Sequence, residues 1–106
     1  MTGGLETNLL QQLSECRPEV LKFAVLMEKV LKQNDHKGGW KEVSLDYLNR
    51  RLIEEVAELL HETASRVYPK ENAMTKEAVD VANFCMFLVD NFGNLDGIDD
   101  RKEAVQ

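Results

Sequence analysis

Between residues 48 and 60 the apolar positions Leu48, Leu52, Val56 and Leu59 recur every three or four residues. At about 100° per residue they form one stripe of a helix. Glu55 falls at the edge of that stripe and Glu58 about 60° further round, so Glu55 is not placed like a surface acid. Further on, Met74, Ala78, Val79, Val81, Ala82, Phe84, Cys85, Met86, Phe87 and Leu88 spread over most of a helix circumference, the pattern of a helix buried on nearly all sides. Glu77 lies in the middle of that apolar surface, with Asp80 one step round. A buried carboxylate without a partner is costly or changes its pKa. Two such acids facing two more must hold either protons or a cation, and a cation is the expectation.

The remaining pattern is helical as well. Leu5, Leu9, Leu10 and Leu13 keep helical spacing and predict a short amphipathic helix with a packing role, preceded by loose residues 1–4. Arg17-Pro18 breaks it, and Pro18 suits the first turn of a second helix, whose Val20, Phe23, Ala24, Met27, Val30 and Leu31 line one face. That helix fades at Gln33-Asn34-Asp35. His36-Lys37-Gly38-Gly39-Trp40-Lys41 reads as a loop whose paired glycines allow backbone shapes closed to other residues. Ser44 is a good N-cap, and Val43 with Leu48 has the spacing of a hydrophobic staple, so the acidic helix is expected from there to about Val67, ended by Tyr68-Pro69. The next helix should begin between Pro69 and Thr75 and reach Asn91, with Gly93 placed to terminate it. Asn94 to Gly97 reads as a turn, and the Asp99 to Glu103 run as a solvated short helix or frayed tail. No segment shows sustained strand alternation. The expected fold is all-α, an antiparallel bundle of about four helices. It forms one domain over residues 1–106, with an extra N-terminal helix over 1–16 and an acidic tail over 94–106.

Composition adds three constraints. A chain of 106 residues with 43% hydrophobic content fills one modest core and buries a limited fraction of its surface, so an all-round apolar helix predicts a homo-oligomer, a dimer or a dimer of dimers. The net charge of −6, from 19 acids against 13 bases, excludes tight binding to a bare nucleic-acid polymer by counterion release. A nucleotide bound as its metal complex remains open. Cys16 and Cys85 have no CxxC or CxxH spacing and read as reduced structural thiols, pointing to the cytoplasm. No export segment and no membrane-length apolar run is visible.

The chemistry rests on the two acidic pairs. Acids at i and i+3 share a helix face, and antiparallel packing at about 8–10 Å sets one pair opposite the other. Four carboxylates, Glu55, Glu58, Glu77 and Asp80, then surround one space. Oxygen ligands without paired His or Cys indicate a hard cation, Mg²⁺ or Mn²⁺. Two other classes compete. A di-iron carboxylate bundle would use Glu-x-x-His on two helices; Glu58-Leu59-Leu60-His61 offers one, but Asp80 stands where the second His should be. A non-enzymatic acidic interaction module would need no acid inside an apolar stripe.

Glu55-x-x-Glu58 followed by Glu77-x-x-Asp80, together with His36-Lys37-Gly38-Gly39-Trp40, Ser44-Leu45, Leu52-x-Glu54-Glu55-Val56-x-Glu58-Leu59 and Glu77-Ala78-x-Asp80-Val81-Ala82-Asn83-Phe84, resembles the small stand-alone MazG-like all-α nucleoside triphosphate pyrophosphohydrolases. The likeness runs from about Pro18 to Phe92. It implies hydrolysis of a nucleoside triphosphate between the α and β phosphates, Mg²⁺ held by the four acids, and removal of non-standard or excess nucleotides. By similarity to relatives with an acid just before the first ligand, Glu54 is the candidate base for the attacking water. Trp40 can stack on a nucleobase or plug the core after the glycine turn, Lys37 can meet phosphate oxygens, and the likeness supports a substrate role for their loop. Asn83 could donate to the sugar or a phosphate, or contact a partner helix. Lys41 and Lys76 are weaker phosphate candidates, while His36 and His61 read as surface residues.

Overall fold

The computed structural model describes residues 2–64 and 70–97, with backbone alone for residues 2–7. It contains α1 (Thr2–Ser14), α2 (Pro18–Gln33), a 3₁₀ turn (Asp35–Lys37), α3 (Leu45–Thr63) and α4 (Glu71–Phe92). There is no strand among the described residues. The start signals act as expected: Pro18 occupies the first turn of α2 after an extended Arg17, and the Ser44 hydroxyl accepts the Tyr47 N–H at 3.2 Å to cap α3. Gly38, at φ 91° and ψ 173°, occupies a region essentially reserved for glycine and turns the chain out of the 3₁₀ turn towards α4.

α3 and α4 form an antiparallel pair. Lys41, just before α3, meets Asp90 near the end of α4; Arg51 lies over the Phe84 ring; Glu55 shares a cluster with Glu77 and Asp80. As one index rises, the other falls. α2 packs on α4, and the Asn83 side-chain amide donates to the Met27 carbonyl at 3.3 Å. The centre of this packing is Leu48 from α3 and Val79 from α4, each 1% exposed. Beside them Glu55 and Asn83 are also buried, so half of the tightest interior is polar.

Several expectations need correction. α1 begins at Thr2, so residues 2–4 are helical, and within one chain Leu9, Leu10 and Leu13 are exposed. On α2, Val20, Phe23 and Ala24 are exposed while Met27, Val30 and Leu31 are half-buried, because α2 leans on α4 through its C-terminal half. On α4, Cys85, Val89 and Phe92 are exposed within one chain, so Cys85 is not a core thiol of the single chain. Gly93 ends α4 at φ −109°, outside the left-handed region. Its lack of a side chain matters instead because a Cβ there would stand 3.1 Å from the Val89 carbonyl oxygen. α3 ends at Thr63, short of Val67; the expected Tyr68-Pro69 stop and the tail from residue 98 onward lie outside the described residues.

Candidate functional site

The inward edge of α3 carries Glu55 beside Leu48 and Leu52, as helical spacing requires. α4 brings Glu77 and Asp80 to meet it. One carboxylate oxygen from each of Glu55, Glu77 and Asp80 lies within 4.8 Å of the others, close enough for side-chain torsions to gather them on one cation. Glu58, a turn along α3, lines the same cavity, close enough for its charge to act on both Glu55 and Glu77. The structure gathers Glu55, Glu77 and Asp80, while Glu58 is exposed beside them and outside the group whose oxygens lie within 4.8 Å of one another.

These carboxylates are held under strain. Glu55 is only 5% exposed, and its Oε2 is buried without a partner, as is Oε2 of Glu77. Burial first, and then the charges of Glu58 and Asp80, push the Glu55 pKa above its ordinary value against the pull of Arg51. Burial also raises Glu77, assisted by the neighbouring Glu58 carboxyl and by the Asp80 charge, with Lys76 opposing. The only cations that touch the cluster among the described residues come from one turn earlier on each helix. Arg51 Nη2 donates to Glu55 Oε1 at 2.7 Å, and Lys76 Nζ donates to Asp80 Oδ2 at 2.8 Å. An orphaned buried oxygen from each helix, on hard oxygen donors, suits a divalent cation of the Mg²⁺ or Mn²⁺ type.

Glu55, Glu58 and Asp80 form one end of a cavity of about 830 Å³ that extends past Arg51, Phe84 and Phe87 to the loop carrying Lys37, Gly38, Gly39 and Trp40, with Tyr47 and Asn34 on its walls. A continuous aromatic wall connects the ends. Trp40 stacks on Phe87 with centroids 4.6 Å apart and planes 18° from parallel, Phe87 meets Phe84 edge-on at 5.2 Å, and the Arg51 guanidinium sits 5.3 Å above Phe84. Volume and mixed lining match those of sites for nucleotide-sized ligands.

The other expected residues are placed as follows. Trp40 borders the cavity and also plugs the bundle: its indole N–H donates to Asp90 Oδ2 at 2.9 Å, and Asn91 Nδ2 donates to its carbonyl at 2.7 Å. Lys41 pairs with the same Asp90, and the Asp90 pKa is lowered by the Lys41 hydrogen bond and then by that of Trp40. Lys37 is exposed on the cavity rim. Asn83 lines the cavity, but its N–H₂ is committed to α2, leaving the buried Oδ1 unpartnered. Glu54 is 58% exposed, paired with Arg51, and is not part of the cavity wall. His36 and His61 are exposed, and His61 takes no part in the acidic cluster, which leaves the Glu-x-x-His reading without its nitrogen ligand. Sequence reasoning missed Arg51, Asp90 and Asn91. Arg51 could have been found from its i, i+4 spacing to Glu55; Asp90 and Asn91 leave no local signal, because their partner lies half the chain away.

No family model, curated protein or solved structure matches this chain.

Proposed function

We propose that this protein is a divalent-cation-dependent nucleoside triphosphate pyrophosphohydrolase, converting a nucleoside triphosphate to the monophosphate and pyrophosphate. The observation that supports it most directly is the buried, half-partnered Glu55 facing Glu77 and Asp80 at the end of a nucleotide-sized cavity. A fold that keeps two desolvated acids against two more gives up stability unless a cation joins them. The likeness of both acidic motifs to those of MazG-like proteins supports the same chemistry.

Glu55, Glu58, Glu77 and Asp80 would hold Mg²⁺, with Mn²⁺ as a substitute. Bound there, the ion would supply charge neutralisation at the leaving pyrophosphate and a lowered pKa for the attacking water. Glu54, next to Glu55 in sequence, is the candidate acceptor of that water's proton by the likeness of the motif, and to act it would have to leave Arg51 and turn into the cavity. Lys37 at the rim supplies positive charge for phosphate, and the Trp40–Phe87–Phe84 wall supplies apolar surface for a base. The substrates in view are non-standard or excess nucleotides. The working form is a homodimer or dimer of dimers, supported by the exposed Val20, Phe23 and Val25 on α2 and Val89 and Phe92 on α4, which a second copy would cover.

Phosphorus NMR of products from a panel of canonical and modified nucleoside triphosphates tests the reaction. Monophosphate plus pyrophosphate, abolished by chelator and by Glu77→Gln, is the expected result. Orthophosphate as the first product, or no turnover by the folded protein with Mg²⁺, would sink the proposal.

A further inference from the structure

Each half of the acidic cluster carries a cation one helical turn before it. On α3, Arg51 spans Glu54 and Glu55, and on α4, Lys76 holds Asp80. Both cations line the cavity. They take Glu55 Oε1 and Asp80 Oδ2, while Oε2 of Glu55 and of Glu77 stay unpartnered. Arg51 and Lys76 thus offset only half of the formal charge of Glu55, Glu58, Glu77 and Asp80. A divalent cation seeks the same oxygens, and it cannot share them at full strength with an ammonium and a guanidinium. The cation that loses a carboxylate then stands in the cavity with free N–H donors, close to where the phosphates of a triphosphate would meet the ion.

We infer that Arg51 and Lys76 are exchangeable counter-ions, holding Glu55 and Asp80 until a divalent cation takes those carboxylates and then binding the phosphate oxygens of the substrate. The inference rests on the pyrophosphohydrolase reading and adds its phosphate donors. The planar guanidinium suits bidentate contact with phosphate, and the ammonium acts as a point charge. The Arg51 guanidinium itself lies over the Phe84 ring, and this cation–π contact keeps it at the cavity wall when it changes carboxylate for phosphate. The exchange couples the two ligands. Cation binding frees the phosphate donors, and phosphate removes the competitor for the carboxylates, so each ligand raises the affinity of the other.

Calorimetric titration of the full chain with Mg²⁺ alone, and then with inorganic tripolyphosphate at saturating Mg²⁺, tests this in wild type, Arg51→Gln and Lys76→Gln. The side chains are 31% and 64% exposed, and a thermal melt checks that each variant is folded. Mg²⁺ should bind the variants more tightly, by up to roughly fivefold, because the internal competitor is gone. Tripolyphosphate should bind them more weakly, by about tenfold or more, because a charge-assisted donor is gone. Opposite signs separate exchange from a structural role, since a loosened site weakens both. Arg51→Lys keeps the charge, replaces the Gln variant if that one unfolds, and should recover part of the tripolyphosphate affinity. Both affinities falling together, or tripolyphosphate affinity unchanged in Arg51→Gln and Lys76→Gln, overturns the inference and leaves the metal site standing. A wild type that binds no Mg²⁺ overturns the metal site itself, and the exchange with it.

Discussion

Replacing Glu55 by Gln changes one carboxylate oxygen to an amide nitrogen and sets two energies against each other. The ion pair with Arg51 is lost. Because that guanidinium is 31% exposed, solvent screening limits the loss to about 1 kcal/mol. In return the variant removes a charge that is 5% exposed and repelled by Glu58 and Asp80. It also gives the unpartnered Oε2 position an N–H that can donate to a neighbouring carboxylate, worth about 1–3 kcal/mol. Without divalent ions the balance favours the variant by about 1 kcal/mol, or roughly 4–8 °C in melting temperature for a domain of this size. Mg²⁺ reverses the order. At ~100 times its Kd a ligand adds about 2.7 kcal/mol to the protein that binds it, and the variant, lacking a charged ligand, gains only a small part. Glu55→Gln should therefore melt above wild type in EDTA and below it in excess MgCl₂. Thermal circular dichroism at neutral pH, with NaCl matching the ionic strength, is the assay. A variant less stable than wild type in EDTA would refute the strained-cluster argument, and equal Mg²⁺ gains in both proteins would refute Glu55 as a ligand.

The raised pKa values of Glu55 and Glu77 mean that the folded protein binds more protons than the unfolded chain just above the ordinary value of 4.5. In EDTA the contribution of these two groups is present below that pH and is lost as pH rises through their folded values. Mg²⁺ competes with those protons, so the Mg²⁺-induced rise in melting temperature should grow over the same interval; a gain that shrinks with rising pH would contradict this. Asp90→Asn removes the carboxylate that holds Lys41 and the Trp40 indole and should shift Trp40 emission to longer wavelength, whereas an unchanged spectrum would show that Phe87 stacking alone holds the ring. Glu54→Gln should reduce turnover while leaving Mg²⁺ affinity intact, and undiminished turnover would remove Glu54 from the mechanism. Leu48→Ala, at a side chain 1% exposed, should cost about 3 kcal/mol in chemical denaturation; a loss below about 1 kcal/mol would mean that the α3–α4 core collapses around the gap.

Helical periodicity is a local property, and what depends on it was legible in the chain. The stripe Leu48, Leu52, Val56 and Leu59, the inward edge position of Glu55, the cap at Ser44 and the Pro18 start all follow from residues within a turn or two of one another. Each acidic pair on its own helix was readable for the same reason. The opposition of Glu55 to Glu77 and Asp80 is a matter of register between helices, decided by how side-chain volumes interlock around Leu48 and Val79. No local rule specifies it. The seat of Trp40 on Phe87 and Asp90 and the capture of the Asn83 amide by Met27 likewise depend on residues far along the chain. The pattern on α4 shows how much of its surface is apolar, but not which faces a single chain covers. Packing against α2 and α3 leaves Cys85, Val89 and Phe92 in the open, because a helix face is buried only where another element reaches it.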